Sequence, residues 1–173
     1  FPFGTDGNFS NELLIQTINT DLANDLGNLV SRTTAMADKY FDGKLPAVRQ
    51  DNPELDSGLT AMVTDLRRRY EEQMKKFQFQ NALEEVFKVI QRANKYIDEN
   101  APWTLAKDMT ANGTRLATVL YNLLETIRVC TVLLTPFMPE SCGRIFAQLG
   151  ADETARTWDS AEKWGVLPAG AEV

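Results

Sequence analysis

Histidine is absent from the 173 residues, and cysteine occurs only twice. Without an imidazole, the chain has no Ser/His/Asp or Cys/His nucleophile arrangement and no metal site that uses a histidine ligand. Cys130 and Cys142 lie in apolar, helix-like contexts without CxxC spacing, so they predict neither a zinc site nor a disulfide framework. We therefore expect no metal in this chain and a reduced, cytoplasmic setting.

Positive charge and long apolar runs are also scarce. Lys and Arg total 18 against 24 acidic residues, for a net charge of −6, so the chain does not bind nucleic acid by charge alone. Any RNA contact must be local, and we expect no DNA partner. The apolar stretch 129–139 contains two prolines and is about half of a roughly 20-residue membrane span, which predicts no membrane partner.

The sequence favours helices throughout. Hydrophobic residues make up 43% of the chain, enough for the core of one domain, and no stretch shows strand-like alternation. Apolar side chains at helical spacing predict an all-α bundle of four long helices plus short helices, with long helices at about 10–40, 55–76, 79–99 and 112–134. Ser10 is the expected N-cap of the first, with Phe9 and Leu14 as a hydrophobic staple. Shorter helices are expected at PWTLAK and from Pro139 to about residue 149.

Three polar residues on the first predicted helix share one face. Asn24, Asn28 and Arg32 are spaced four residues apart and span an arc of only about 80°. The leucines of this helix fall on the opposite side, so the stripe points away from the core. Spacing alone leaves two interpretations. The stripe is either a solvated helix face, which is the more common case, or a surface that recognises a partner.

Trp103, in the stretch APWTLAK, stands just after a predicted helix end and beside a proline. A ring held there on a stiff backbone makes a stacking platform if it is exposed. It plugs the end of the bundle if it folds back, and the sequence leaves both interpretations open. Trp158 and Trp164 resemble anchors that pack the tail on the bundle.

Other charged and polar residues favour structural interpretations. Arg67-Arg68-Arg69 and Lys75-Lys76 could contact phosphates, but Glu71 and Glu72 lie among them at helical pairing distance, which favours a self-paired, solvated face. Asn94 interrupts the apolar stripe of the third helix, which favours a buried hydrogen-bonding role over a ligand contact. We expect the carboxylates to lie on helix surfaces without a defined partner.

Two segments carry a family resemblance: DGNFSNELLIQTINTDLANDLGNLVSR at 6–32 and NKYIDENAPWTLAK at 94–107. Both resemble methionyl-tRNA synthetases, and TPFMPES at 135–141 and WGVLPAG at 164–170 extend the match in the family's order. The resemblance implies a helical anticodon-binding domain that follows a class I catalytic domain and receives the CAU anticodon of methionine tRNA. The N-terminus does not begin with Met and lacks a signal-like segment, which fits a piece of a longer chain.

The resemblance also implies roles for individual residues. Asn28 and Arg32 match the family's N-x-x-x-R pair that contacts the first anticodon base, and Trp103 matches the tryptophan on which that base stacks. The chemistry agrees, because Arg32 can donate to the two acceptors of cytosine while the amide oxygen of Asn28 accepts from its amino group. Asn24 is a weaker candidate, for orienting Arg32 or touching the RNA backbone.

The signatures of catalysis are missing from these residues. Neither the HIGH-type nor the KMSKS-type ATP-binding sequence occurs, so we expect no catalysis and no cofactor here, with ATP and methionine bound by the absent catalytic domain. We expect residues 1–9 to be a remnant of the connection to that domain, 10–150 to be the anticodon-binding bundle, and 151–173 to be a tail packing on it. The alternative function is a structural or protein-docking bundle. A third possibility, a helical enzyme with a carboxylate-bound metal, is disfavoured because this chain has none of the histidines that such sites usually contain.

Overall fold

The computed structural model describes residue 12 and residues 16–173 of the chain. A π-helical segment, Thr17–Leu22, leads into α1 (Ala23–Phe41), followed by α2 (Pro53–Thr64), α3 (Leu66–Lys75), α4 (Phe79–Asn100), α5 (Pro102–Leu105), α6 (Met109–Leu134) and α7 (Pro139–Gln148). Two 3-10 turns, Thr154–Arg156 and Trp158–Glu162, follow. In that part of the chain there is no β-strand, only an isolated antiparallel bridge between Lys44 and Glu172. The predicted all-α class is confirmed.

The expected N-cap at Ser10 and the staple of Phe9 and Leu14 lie outside the described residues. The third and fourth predicted helices agree with α4 and α6 within a few residues, and α5 is the short helix expected at PWTLAK. The predicted helix 139–149 is α7, and Gly150 after it adopts a left-handed conformation with φ of 60°. The amides of Gly150 and Ala151 donate to the carbonyls of Ala147 and Phe146, which closes the helix end as a Schellman motif.

The second predicted helix is wrong as a single element, because it breaks at Asp65 into α2 and α3. Asp65 has φ of −88° and ψ of −8°, at the edge of the helical region. Its carboxylate accepts hydrogen bonds from Arg68 Nε at 2.7 Å and Arg69 Nη1 at 3.1 Å, one turn further on. The apolar stripe continues across the break, so periodicity alone did not reveal it.

Helix α6 is the centre of the bundle, and α1, α4 and α7 pack around it. Every residue from Arg115 to Leu134 is buried. By length and composition α6 is apolar enough to cross a membrane, but its most apolar window is entirely buried inside the protein. A helix that is buried on all sides is typical of the core of a packed domain, and the high hydropathy of α6 is explained by that burial.

Glu125 and Arg128, both on α6, form a fully buried ion pair that holds the C-terminal segment. The carboxylate also accepts the amide N–H groups of Gly165 at 2.9 Å and Leu167 at 2.7 Å. The guanidinium donates to the Ser160 hydroxyl at 3.0 Å and to backbone carbonyls of the same segment. Because the Glu125 and Arg128 charges are paired with each other and hydrogen-bonded to residues 155–167, the C-terminal segment packs in one defined position.

The buried Glu125 contradicts the expectation that the carboxylates lie on helix surfaces without a defined partner. Asp56 on α2 contradicts it too, since it is buried and accepts a two-pronged hydrogen bond from Arg115 at 2.7 Å for each prong. Both carboxylates pair with an arginine of α6, where the low dielectric makes an unpaired charge costly. Their partners follow from helix packing and not from the local sequence.

Candidate functional site

The polar stripe of α1 faces solvent. Its three members, Asn24, Asn28 and Arg32, are all exposed. The apolar residues on the other side of the same helix turns are buried, namely Leu22, Leu26, Leu29 and Val30. The predicted orientation of this helix is therefore confirmed, and the stripe is accessible to a partner.

Arg32 is joined to Asn94 of α4. Arg32 Nη1 donates to Asn94 Oδ1 at 3.0 Å, and Asn94 Nδ2 donates to the carbonyl of Ile90 at 3.1 Å. The second bond fixes which end of the Asn94 amide faces Arg32, because only the oxygen can accept from a guanidinium. Asn94 thus has a hydrogen-bonding role, as its position predicted, but it is only partly buried and not buried as expected, because its bond to Arg32 lies at the surface.

Trp103 is exposed, at 48% of its surface. Its neighbours on α5 hold the helix down, because Pro102 is buried and Leu105 packs against the core. The interpretation in which Trp103 plugs the end of the bundle is therefore wrong. An exposed indole on a helix anchored from below is a surface available for stacking.

Helix α4 links the Arg32–Asn94 bond to the Trp103 corner. From Asn94 to Asn100, the last residue of α4, the helix rises only about 9 Å. Pro102 begins α5 two residues later, with Trp103 next to it. The same end of α4 thus carries both the partner of Arg32 and the support of the indole.

The three arginines of α3 are paired with carboxylates, as the sequence indicated, whereas Lys75 and Lys76 are exposed. Arg67 Nε lies 2.8 Å from Glu71, Arg68 Nη1 lies 2.6 Å from Glu72, and Arg69 Nε lies 3.0 Å from Glu85. The hydrogen bond between Arg67 and Glu71 raises the pKa of the guanidinium and lowers that of the carboxyl. This face is held by its own charges and is a poor candidate for phosphate binding.

In the described part of the chain, no group of three or more Cys, Asp or Glu side chains is arranged to hold a metal ion. The two cysteines are free and buried. The residues that the sequence analysis singled out and that are exposed are Asn24, Asn28 and Arg32 on α1 and Trp103 on α5. Their chemistry is hydrogen bonding and stacking, which suits recognition of a nucleobase.

The comparison with protein-family models gives two matches. The model described as the anticodon binding domain of methionyl tRNA ligase matches residues 46–173. The model of the class I tRNA synthetases (M) matches residues 1–34, which include Asn24, Asn28 and Arg32.

Curated relatives are similar over almost the whole chain. A methionine–tRNA ligase of Caldanaerobacter subterraneus subsp. tengcongensis is 53% identical over 172 residues, which are 99% of this chain and 26% of that protein. One from Clostridium tetani is 49% identical over the same length, again 99% of this chain and 26% of the relative. The chain thus spans about a quarter of the length of the curated relatives that it matches.

Solved structures share the fold. The Mycobacterium tuberculosis methionyl-tRNA synthetase in complex with methionyl-adenylate superposes with a TM-score of 0.83 and 34% identity, covering 100% of this chain and 33% of that chain. The apo form of the same synthetase gives a TM-score of 0.84 and 35% identity, over 100% of this chain and 35% of the other.

Proposed function

Since the chain belongs to the methionyl-tRNA ligase family and matches its anticodon-binding domain, we propose that it binds the anticodon loop of methionine tRNA and reads the CAU anticodon. Asn28, Arg32 and Trp103 bind the first anticodon base, and Asn24 assists as a neighbour on the same face of α1. The observation that carries this proposal is the exposed Trp103 at the end of the helix whose Asn94 holds Arg32.

The reading mechanism combines stacking with hydrogen bonds to one base edge. The unstacked cytosine lies on the ring of Trp103, which contributes roughly 1–3 kcal/mol and tolerates any base. Discrimination comes from the edge, where Arg32 donates to the two acceptors of cytosine and the Asn28 carbonyl accepts from its amino group. A base that leaves these groups unpaired loses the hydrogen bonds and retains the desolvation cost.

The hydrogen bond to Asn94 orients Arg32 before the RNA binds, which lowers the entropy cost of binding the base. A free arginine side chain carries about 2 kcal/mol of rotamer entropy, part of which is lost on binding. Arg32 is held by Asn94 before RNA arrives, so less of that entropy remains to be lost. A guanidinium has five N–H donors, so one bond to Asn94 leaves donors for the base.

Because the chain covers 26% of the length of a related methionine–tRNA ligase, its parent protein is proposed to be an ATP-dependent methionine–tRNA ligase. Its catalytic domain binds ATP and methionine, and this chain by itself carries out neither activation nor transfer. The cytoplasmic location and the division at residues 9 and 150 stay predictions. With a net charge of −6, binding of RNA is modest and depends only weakly on salt.

The test is a titration of the 173-residue chain with a CAU anticodon stem-loop and with stem-loops changed at the first anticodon base. We expect CAU to bind most tightly, and Trp103→Ala to weaken binding by roughly tenfold or more, as lost stacking requires. Phe77→Ala is the matched control, since Phe77 is an exposed aromatic at the other end of α4, about 30 Å away. A response that is equal for all stem-loops, or unchanged by Trp103→Ala, contradicts the proposal and favours a structural or protein-docking bundle.

A further inference from the structure

A buried polar cluster lies where α2, α4 and α6 meet, directly under the corner between α4 and α5. Its centre is Arg115, whose Nη1 and Nη2 each donate to one carboxylate oxygen of Asp56 at 2.7 Å. Nη2 also donates to Asn100 Oδ1 at 2.6 Å, and Nη1 donates to the carbonyl of Gln50 at 3.1 Å. Arg115, Asp56 and Asn100 are each less than 9% exposed.

Asp56 and Tyr96 make further hydrogen bonds within the cluster. The Asp56 carboxylate accepts hydrogen bonds from the Tyr96 hydroxyl at 2.6 Å and from the backbone N–H of Asn52 at 2.8 Å. The Tyr96 hydroxyl in turn accepts from Asn122 Nδ2 at 3.0 Å. A buried network in which each charged group is paired is rigid, because any rearrangement leaves a charge unpaired in a low dielectric.

Asn100 ties this rigid cluster to the corner that carries Trp103. It is the last residue of α4, and its Nδ2 donates to the carbonyl of Tyr96 at 2.9 Å while its Oδ1 receives Arg115. The next residue, Ala101, has φ of 44° and ψ of 65°, a left-handed conformation that residues with a Cβ rarely adopt. Pro102 then fixes the first φ of α5.

The direction of α5 therefore depends on keeping Ala101 in an unfavourable conformation. The residue before Ala101 is Asn100, and its side-chain hydrogen bonds hold it in place. We propose that Asn100, held by Arg115 and Asp56, is a positioning residue for Trp103: it fixes the corner between α4 and α5 and so sets where the indole meets the anticodon base. This inference rests on the proposed function, because it assigns the support of the same stacking platform.

Asn122 supplies a matched control within the same cluster. It is a buried asparagine with a side-chain hydrogen bond to the cluster, like Asn100, but it lies in the middle of α6 and not at the corner. Asn122→Ala and Asn100→Ala both remove one asparagine amide from the network. Only Asn100→Ala removes the side-chain hydrogen bonds that hold the chain just before Ala101.

The experiment measures stem-loop affinity and the environment of Trp103 in both variants. With fluorotryptophan incorporated, fluorine NMR resolves the three tryptophans, and Trp103→Phe assigns its resonance. We expect Asn100→Ala to shift or broaden the Trp103 resonance without RNA and to weaken CAU stem-loop binding by about fivefold or more. Asn122→Ala leaves both unchanged. Equal effects of the two variants, or an unchanged Trp103 resonance in Asn100→Ala, overturn the proposal.

A double variant shows whether Asn100 acts through the indole. If it does, Asn100→Ala weakens binding much less when Trp103→Ala is already present than when Trp103 is intact. Full additivity of the two changes overturns the positioning role and leaves only a general structural effect. Because the resonance of Trp103 is measured without RNA, a failure of the anticodon-binding proposal is distinguishable from a failure of this one.

Discussion

Arg32 Nη1 of α1 donates a hydrogen bond of 3.0 Å to Asn94 Oδ1 of α4, across 62 residues of sequence. The bond joins a residue from the α1 stripe to the helix that ends beneath Trp103. Both partners are accessible or partly so, and the Asn94 amide is oriented by its second bond, to Ile90. The bond therefore links the polar stripe of α1 to the C-terminal half of α4.

Asn94→Ala is expected to weaken binding of the CAU stem-loop by about threefold to tenfold, because Arg32 loses its fixed orientation. Arg32→Ala should weaken it at least as much, and the double variant should be no weaker than Arg32→Ala alone. Isothermal titration or anisotropy measures each affinity. Asn81→Ala is the matched control, as Asn81 is a partly buried asparagine on the same helix that bonds Gln78. Equal losses for Asn81→Ala and Asn94→Ala contradict this prediction.

Glu125→Ala should lower the free energy of unfolding by roughly 3–5 kcal/mol, because it leaves Arg128 buried and unpaired. Glu125→Gln should also destabilise the protein, since its amide NH₂ must face either Arg128 or the backbone amides of Gly165 and Leu167. Urea unfolding followed by circular dichroism measures both. Limited proteolysis should find new cleavage in residues 151–173.

The control for that experiment is Glu140→Ala. Glu140 and Arg144 form an exposed pair on α7 with 3.8 Å between charged atoms, and such pairs contribute less than about 1 kcal/mol. Its free energy of unfolding should stay close to that of the unchanged chain. A loss for Glu125→Ala no larger than that for Glu140→Ala would show that the buried pair does not hold the C-terminal segment.

Asp56 should make stability depend on pH in the acid range. Burial by itself raises the pKa of this carboxyl, but the hydrogen bonds from Arg115, Tyr96 and Asn52 outweigh it and hold the pKa below its ordinary value. Because the folded pKa lies below the unfolded one of about 3.9, the contribution is present above pH 4 and is lost as pH falls through the folded pKa. Unfolding measured from pH 7 to pH 2 should show this loss.

Asp56→Asn tests that assignment. The variant should be less stable at pH 7, because the buried Arg115 loses its counter-charge. Its stability should also vary less between pH 5 and pH 2 than that of the unchanged chain, since one depressed carboxyl is gone. Parallel stability curves for the two proteins over that range would mean that other carboxyls dominate acid unfolding.

The two cysteines should be unreactive in the folded protein. Burial raises the pKa of Cys130 to about 12 and that of Cys142 to about 11. At pH 8 only about one thiol in a thousand at Cys142 is then ionised, and alkylation requires the thiolate. Mass spectrometry should find neither site modified by iodoacetamide in buffer and both modified in urea. Rapid modification of either thiol in buffer contradicts its burial.

The helices were the part of the fold that local pattern predicts well. Apolar spacing in the third and fourth predicted segments gave α4 and α6 within a few residues, because side-chain periodicity is repeated in every turn. The break at Asp65 was missed, since the apolar stripe crosses it unchanged. In the candidate site, the outward direction of Asn28 and Arg32 followed from the same periodicity, whereas the exposure of Trp103 did not.

By itself, the sequence determined the all-α class, the core-facing residues of the third and fourth predicted helices, and the family, which is recognised from contiguous sequence motifs. Only the tertiary structure decided which polar residues meet. Arg32 with Asn94, Asp56 with Arg115, and Glu125 with the backbone at residues 165 and 167 are pairs that lie 40 or more positions apart. A hydrogen bond between such residues depends on how whole helices pack, and that packing has no signature in the few residues around either partner.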